Sequence, residues 1–104
     1  MEKTKNTHTI GRGQEFEREL VELLVEVYTA PPFEMSDAAF SRAIFGDNTT
    51  STGRWHRIKK TSLTIGKPQN LTVAQAVEAA AVLGMDFPSL AFKVFERLKM
   101  KRQA

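Results

Sequence analysis

The segment Leu71–Leu90, LTVAQAVEAAAVLGMDFPSL, decides the fold class, because it writes two helices and the punctuation between them in twenty residues. Thr72 and Gln75 have the T-x-x-Q spacing of a capping box, in which each side chain satisfies a backbone amide of the opening turn. An alanine-rich helix over Val73–Leu83 comes next, with Val73, Ala76, Val77, Ala80 and Leu83 at core spacing. Gly84 suits the left-handed residue after a helix end. Asp86 then caps a further helix, Pro88 is tolerated in its first turn, and Phe87, Leu90, Ala91, Val94, Phe95 and Leu98 supply its apolar side.

Upstream the same logic predicts three more helices. Phe16, Leu20, Leu23, Leu24 and Val27 form one stripe of a helix that runs from about Gln14 and must stop by Ala30, since Pro31 and Pro32 lack amide donors. Its remaining surface carries Glu15, Glu19, Glu22 and Glu26. Ser36 caps a short helix with Phe40, Ala43 and Ile44 on one face, and Gly46 ends it. GDNTTSTG, residues 46–53, is built of turn formers. Ser51 is expected to cap a third helix reaching Lys60, in which Trp55 and Ile58 face the core while Gly53, Arg57 and Lys60 point away. Ser62–Ile65 is the nearest approach to a strand, and four residues do not demand one. The expectation is an all-α, compact bundle of about five helices. Residues 1–12 read as a flexible basic arm, 13–98 as the domain, and 99–104 as a basic tail that frays.

With 104 residues, 41% of them hydrophobic and 26% charged, the chain suits one ordinary globular core. It has no cysteine, which excludes disulfides, thiolate nucleophiles and Cys-ligated metals. No apolar run is long enough to cross a bilayer, and the chain does not open on a signal-peptide pattern, so a cytoplasmic, nucleoid-associated protein is expected. The net charge of +3 conceals opposed blocks. Residues 14–34 hold six glutamates against Arg18, whereas residues 48–77 hold Arg54, Arg57, Lys59, Lys60 and Lys67 with no acid. Such asymmetry says more about partners than the total does.

The segment Met35–Leu90 resembles the helix-turn-helix of the phage-repressor and Cro-like (XRE-type) superfamily. MSDAAFSRAI matches the first helix of the motif, STGRWHRIKK the recognition helix, and LTVAQAVEAAAVLGMDFPSL the pair after it, with Thr72, Ala80, Leu83, Gly84, Met85 and Leu90 in the family's characteristic roles. The chain departs from the pattern between Ile44 and Trp55, which holds about four residues more than the usual three- or four-residue turn.

The resemblance implies a lambda-repressor-like fold and a sequence-specific regulator of transcription, in its simplest form a repressor occupying an operator on double-stranded DNA. It also implies a two-fold homodimer on half-sites about one helical turn apart, with exposed apolar residues of the fifth helix such as Phe92 contributing to the dimer surface. Thr52, Gly53, Arg54, His56 and Arg57 become the candidates for base edges, Gly53 by permitting close backbone approach. Arg42, Thr49, Thr50, Ser51, Lys59, Lys60 and Lys67 become the candidates for phosphate. The competing reading is a protein-interaction module on the same scaffold, such as an antitoxin, antirepressor or adaptor, engaging a protein partner through the acidic first helix or the lengthened turn. Catalysis is not expected: no phosphate loop, HExxH or paired histidine is present, His8 and His56 have no ligand spacing, and neither a cofactor nor a metal is implied.

Overall fold

The computed structural model of the protein describes residues 12–62 and 71–103. Five helices are arranged in order: α1 (Arg12–Thr29), α2 (Asp37–Phe45), α3 (Ser51–Ser62), α4 (Val73–Val82) and α5 (Phe87–Gln103), with no strand among the described residues. The expected arm, apart from Arg12 at the start of α1, lies outside them. So does the strand candidate beyond Ser62. No helix among the described residues is long and apolar enough to cross a membrane.

The helix ends obey local chemistry. The Ser36 hydroxyl accepts from the amide of Ala39 at 3.0 Å and starts α2. The Thr72–Gln75 capping box is formed in both directions. At the end of α4, Gly84 adopts φ +70°, its amide donates to the Ala81 carbonyl at 3.0 Å, and Met85 donates to Ala80 at 2.8 Å. This is the doubly bonded stop that a left-handed glycine permits. Asp86 accepts from the amide and hydroxyl of Ser89 at the start of α5.

Packing joins α1 to α5 and α3, α2 to α3 and α4, and α4 to α5. One centre of the core is aromatic. Tyr28 of α1 stacks on Phe40 of α2 with centroids 4.2 Å apart, and Trp55 of α3 closes the cluster at 5.2 Å from Phe40; all three are fully buried. The other centre is aliphatic, where Leu20, Leu24, Leu83, Leu90 and Val94 meet Ala76, Ala79 and Ala80. The alanines let α4 sit close to its neighbours, since a small side chain shortens the distance between helix axes.

Some expectations need correction. Spacing puts Val73 and Val77 in the core, yet both are exposed. Nearly every residue of α4 is apolar, so the wheel does not single out one stripe, and close approach selects the face with Ala76, Ala79 and Ala80. On α2, Ala43 is exposed while Ser41 is buried beside Phe40 and Ile44. Phe95 is also exposed, touching Phe16 at a centroid distance of 5.0 Å on the rim of the α1–α5 contact.

A further correction concerns the tail. Residues 99–103 are helical, because α5 continues along the acidic face of α1. Arg97 donates through Nε to Glu19 at 2.7 Å and through both terminal nitrogens to Glu26 at 2.9 and 2.7 Å. Lys101 reaches Glu19 at 2.6 Å and Glu22 at 3.4 Å, and Arg102 reaches Glu15 at 3.1 Å. Glu19 is buried between its two cations. Its neighbour Glu17 accepts from the amide of Leu71. The row of glutamates is therefore a structural seam of the fold.

Candidate nucleic-acid interface

α3 is held by its inner face. The Trp55 indole N–H donates to the Tyr28 hydroxyl at 2.8 Å, and that hydroxyl donates to Asp37 Oδ1 at 2.5 Å. The other oxygen of Asp37 accepts from Lys59 at 2.6 Å. This chain ties α1, α2 and α3 through a path that runs from the buried Trp55 and Tyr28 to the partly exposed Asp37 and Lys59, leaving no side-chain polar atom of Trp55 or Tyr28 without a partner. The Lys59 ammonium, then the Tyr28 hydroxyl, holds the Asp37 carboxyl below the usual carboxylate range. Burial, aided by the acidic neighbour, pushes the Tyr28 phenol up.

Between α2 and α3 lie five residues, 46–50. The apparent surplus of residues in the sequence is thus partly wound into the first turn of α3. Gly46 turns the chain at φ +98°. Asn48 organises the approach to α3: its Oδ1 accepts from the Thr50 amide at 3.0 Å and from the Thr50 hydroxyl at 2.6 Å. An Asx turn of this kind satisfies backbone that the helix leaves unpaired. Ser51 is the first helical residue, and its buried hydroxyl donates back to the Gly46 carbonyl.

The outer face of α3 carries Arg54, His56, Arg57 and Lys60, all exposed. The acid-free stretch from Asn48 to Val77 places no carboxylate of α3 beside them. Arg54 lies with its guanidinium 4.4 Å from the centre of the Phe45 ring, a cation–π contact that orients it toward the turn. Arg42 of α2 is exposed on the same side as the turn, 3.8 Å from the exposed Asp47. Thr49 is exposed at the tip.

Several candidates are committed elsewhere. Ser51 is buried and cannot offer its hydroxyl to a phosphate. Lys59 is half-buried in its ion pair with Asp37, which makes it part of the frame that holds α3. Thr52 turns toward α2, its hydroxyl 3.4 Å from that of Ser41, and Thr50 donates its hydroxyl proton to Asn48. Lys67 lies outside the described residues. Gly53 is half-exposed, and a Cβ built there would meet nothing closer than the Arg57 guanidinium at 3.5 Å.

The residues that fix the geometry, Tyr28, Asp37 and Asn48, are not singled out by sequence reasoning. Two signals point to them. The chain's single tyrosine lies just past the apolar stripe of α1, where a buried hydroxyl must find a partner. Asn48 stands two residues before Thr50 in a turn-rich segment, the spacing of an Asx turn. Among the described residues, no group of three or more His, Cys, Asp or Glu could hold a metal ion. Comparison of the chain with protein-family models, curated proteins and solved structures finds no match.

Proposed function

We propose that the protein binds double-stranded DNA in a sequence-specific way and regulates transcription by occupying an operator, with α2 and α3 acting as a helix-turn-helix of the phage-repressor/Cro-like kind. The observation that carries this reading is the outer face of α3, where Arg54, His56, Arg57 and Lys60 stand exposed on a helix whose inner face is pinned by Trp55 and Lys59. A rigid helix presenting guanidinium groups suits the major groove, because arginine can make paired hydrogen bonds to guanine O6 and N7. Arg54 and Arg57 are the assigned base readers, with His56 beside them. Arg42, Thr49 and Lys60 are assigned to the phosphate backbone.

Gly53 supports the same reading. A glycine inside a helix costs about 1 kcal/mol relative to alanine, and the fold has room for a side chain at this position. Close approach of the α3 backbone to a base pair gives the missing Cβ a purpose.

Selection of bound sequences from a random duplex pool tests the proposal. A recurrent motif should emerge, and Arg57→Ala should lower affinity for it by about 1–3 kcal/mol while weakening random duplex less. Lys60→Ala should weaken both alike. A pool that remains random after repeated selection, or equal losses on all sequences from both substitutions, would refute base reading by α3.

A further inference from the structure

Arg97 and Arg102 are spent on the glutamates of α1, and Arg42 stands 3.8 Å from Asp47. Arg54 is held differently. Its guanidinium lies over the Phe45 ring, 4.4 Å from the centroid, and no acceptor among the described residues takes its N–H groups. The connection between α2 and α3 makes this contact. Phe45, the last residue of α2, is partly buried against the core, so its ring is anchored. Gly46 turns the chain at φ +98°, the Ser51 hydroxyl ties the start of α3 back to the Gly46 carbonyl, and the Arg54 amide donates to the Thr50 carbonyl at 2.9 Å. Arg54 is thereby brought back across Phe45. A cation over a ring at an exposed site is favoured about two- to fivefold over one that is not, so the side chain is oriented before any ligand arrives.

We infer that Phe45 and Arg54 together read a two-base step of the duplex: a guanine preceded, on its 5′ side, by a pyrimidine that carries a methyl group, thymine or 5-methylcytosine. The edge of a guanidinium presents paired donors in one plane, which match guanine O6 and N7 in the major groove. The plane also has two sides. Phe45 closes one of them, and the other is open. A guanidinium is weakly hydrated and accepts an apolar neighbour on its flat side more readily than an ammonium does.

In a duplex the base stacked on the guanine supplies that neighbour. The C5 position of the pyrimidine on the 5′ side projects into the major groove next to guanine N7, and it bears a methyl in thymine and in 5-methylcytosine but only a hydrogen in cytosine. With Arg54 bonded to the guanine, the methyl packs on its open side. Burying one methyl-sized group is worth about fourfold in affinity. Phe45 is a positioning residue in this arrangement, and Arg54 makes the contact. The inference rests on the DNA-binding reading of α3, to which it adds the identity of one base step and a residue of α2.

The test uses the full chain and the duplex recovered by selection from a random pool, resynthesised with single changes and titrated at fixed salt. The recovered motif should contain thymine followed by guanine. Deoxyuridine in place of that thymine removes the methyl alone and should weaken binding about fourfold. With a cytosine–guanine pair at the same position, methylation of the cytosine at C5 should raise affinity by a similar factor. Phe45→Leu should lower affinity about two- to fivefold and shrink the preference for thymine over deoxyuridine, with helical content and Trp55 emission unchanged, whereas Phe45→Tyr keeps a ring and should keep the preference. Should Phe45→Leu not fold, Arg54→Lys decides: the position is exposed, the charge stays and the plane is lost, so the preference should vanish while the salt dependence remains. A motif without this step, equal binding of the thymine and deoxyuridine duplexes, or a preference indifferent to these substitutions would overturn the inference and leave DNA recognition by α3 standing. Selection that recovers no motif would defeat both.

Discussion

Tyr28→Phe removes one oxygen from the path that holds α3. The hydroxyl accepts from the Trp55 indole at 2.8 Å and donates to Asp37 at 2.5 Å. Without it the indole N–H remains fully buried with no partner, a desolvation penalty of about 1–3 kcal/mol. Loss of the bond to a charged acceptor adds to this, at the low end of about 1.5–3 kcal/mol, because the Asp37 side chain is 31% exposed and keeps Lys59. Phenylalanine fills the same stacked position on Phe40, so no cavity is created. The expected loss is about 2.5–4.5 kcal/mol, which should lower the urea midpoint by about 1–3 M. Trp55 is the only tryptophan in the chain, so its emission reports the transition directly. Asp37→Asn should lose stability too, and the double variant should lose less than the two changes added together, since both cut one path. The Asp37 carboxyl is held low in the folded state; its contribution is therefore present above the unfolded value near 3.8 and disappears as pH falls through the folded one. The gap between wild type and Asp37→Asn should accordingly narrow on acidification from about pH 6 to below about 3. A loss under about 0.5 kcal/mol for Tyr28→Phe, or strictly additive effects, would refute the view that this path fixes α3.

Gly53→Ala should raise stability by about 0.5–1 kcal/mol in a thermal melt, as the position is helical and open, yet reduce affinity for a selected duplex; improved or unchanged DNA binding would remove the argument for close approach. Arg97→Met should cost about 3–5 kcal/mol in denaturant titration, because it leaves Glu19 buried with Lys101 alone. High salt should rescue little of that loss, in contrast to Arg102→Met, whose exposed pair is worth at most about 1 kcal/mol. Val73→Thr and Val77→Thr should each fall within about 0.5 kcal/mol of wild type, whereas Ala79→Leu should destabilise by about 1–3 kcal/mol through overpacking.

Legibility in the sequence was local. The capping residues Ser36, Thr72, Gln75 and Asp86, the stop at Gly84 and the inward pair Trp55 and Ile58 all rest on chemistry within a few residues of each other. Burial on α4 and α5 was harder, because apolar residues occupy more than one face of each helix and only the neighbours decide which face turns inward. The helical end of α5 lay beyond a local reading altogether. Lys101 depends on Glu19, 82 positions away, and a basic stretch after the apolar pattern looks like a tail until its partner is in place. At the candidate interface the exposed arginines were readable from the wheel. The commitment of Ser51 to Gly46 and of Lys59 to Asp37 was not, since both depend on how tightly the five-residue connection folds.

The central claim, that the outer face of α3 engages duplex DNA, is tested most directly by titrating a labelled random duplex with the protein at several salt concentrations. Phosphate neutralisation releases about 0.9 cation per contact. Contacts from Arg42 and Lys60 should therefore make log affinity fall with log salt with a slope of about −2, and Arg42→Ala or Lys60→Ala should each flatten it by about one. Absence of binding at low salt, or a slope that these substitutions leave untouched, would contradict the account.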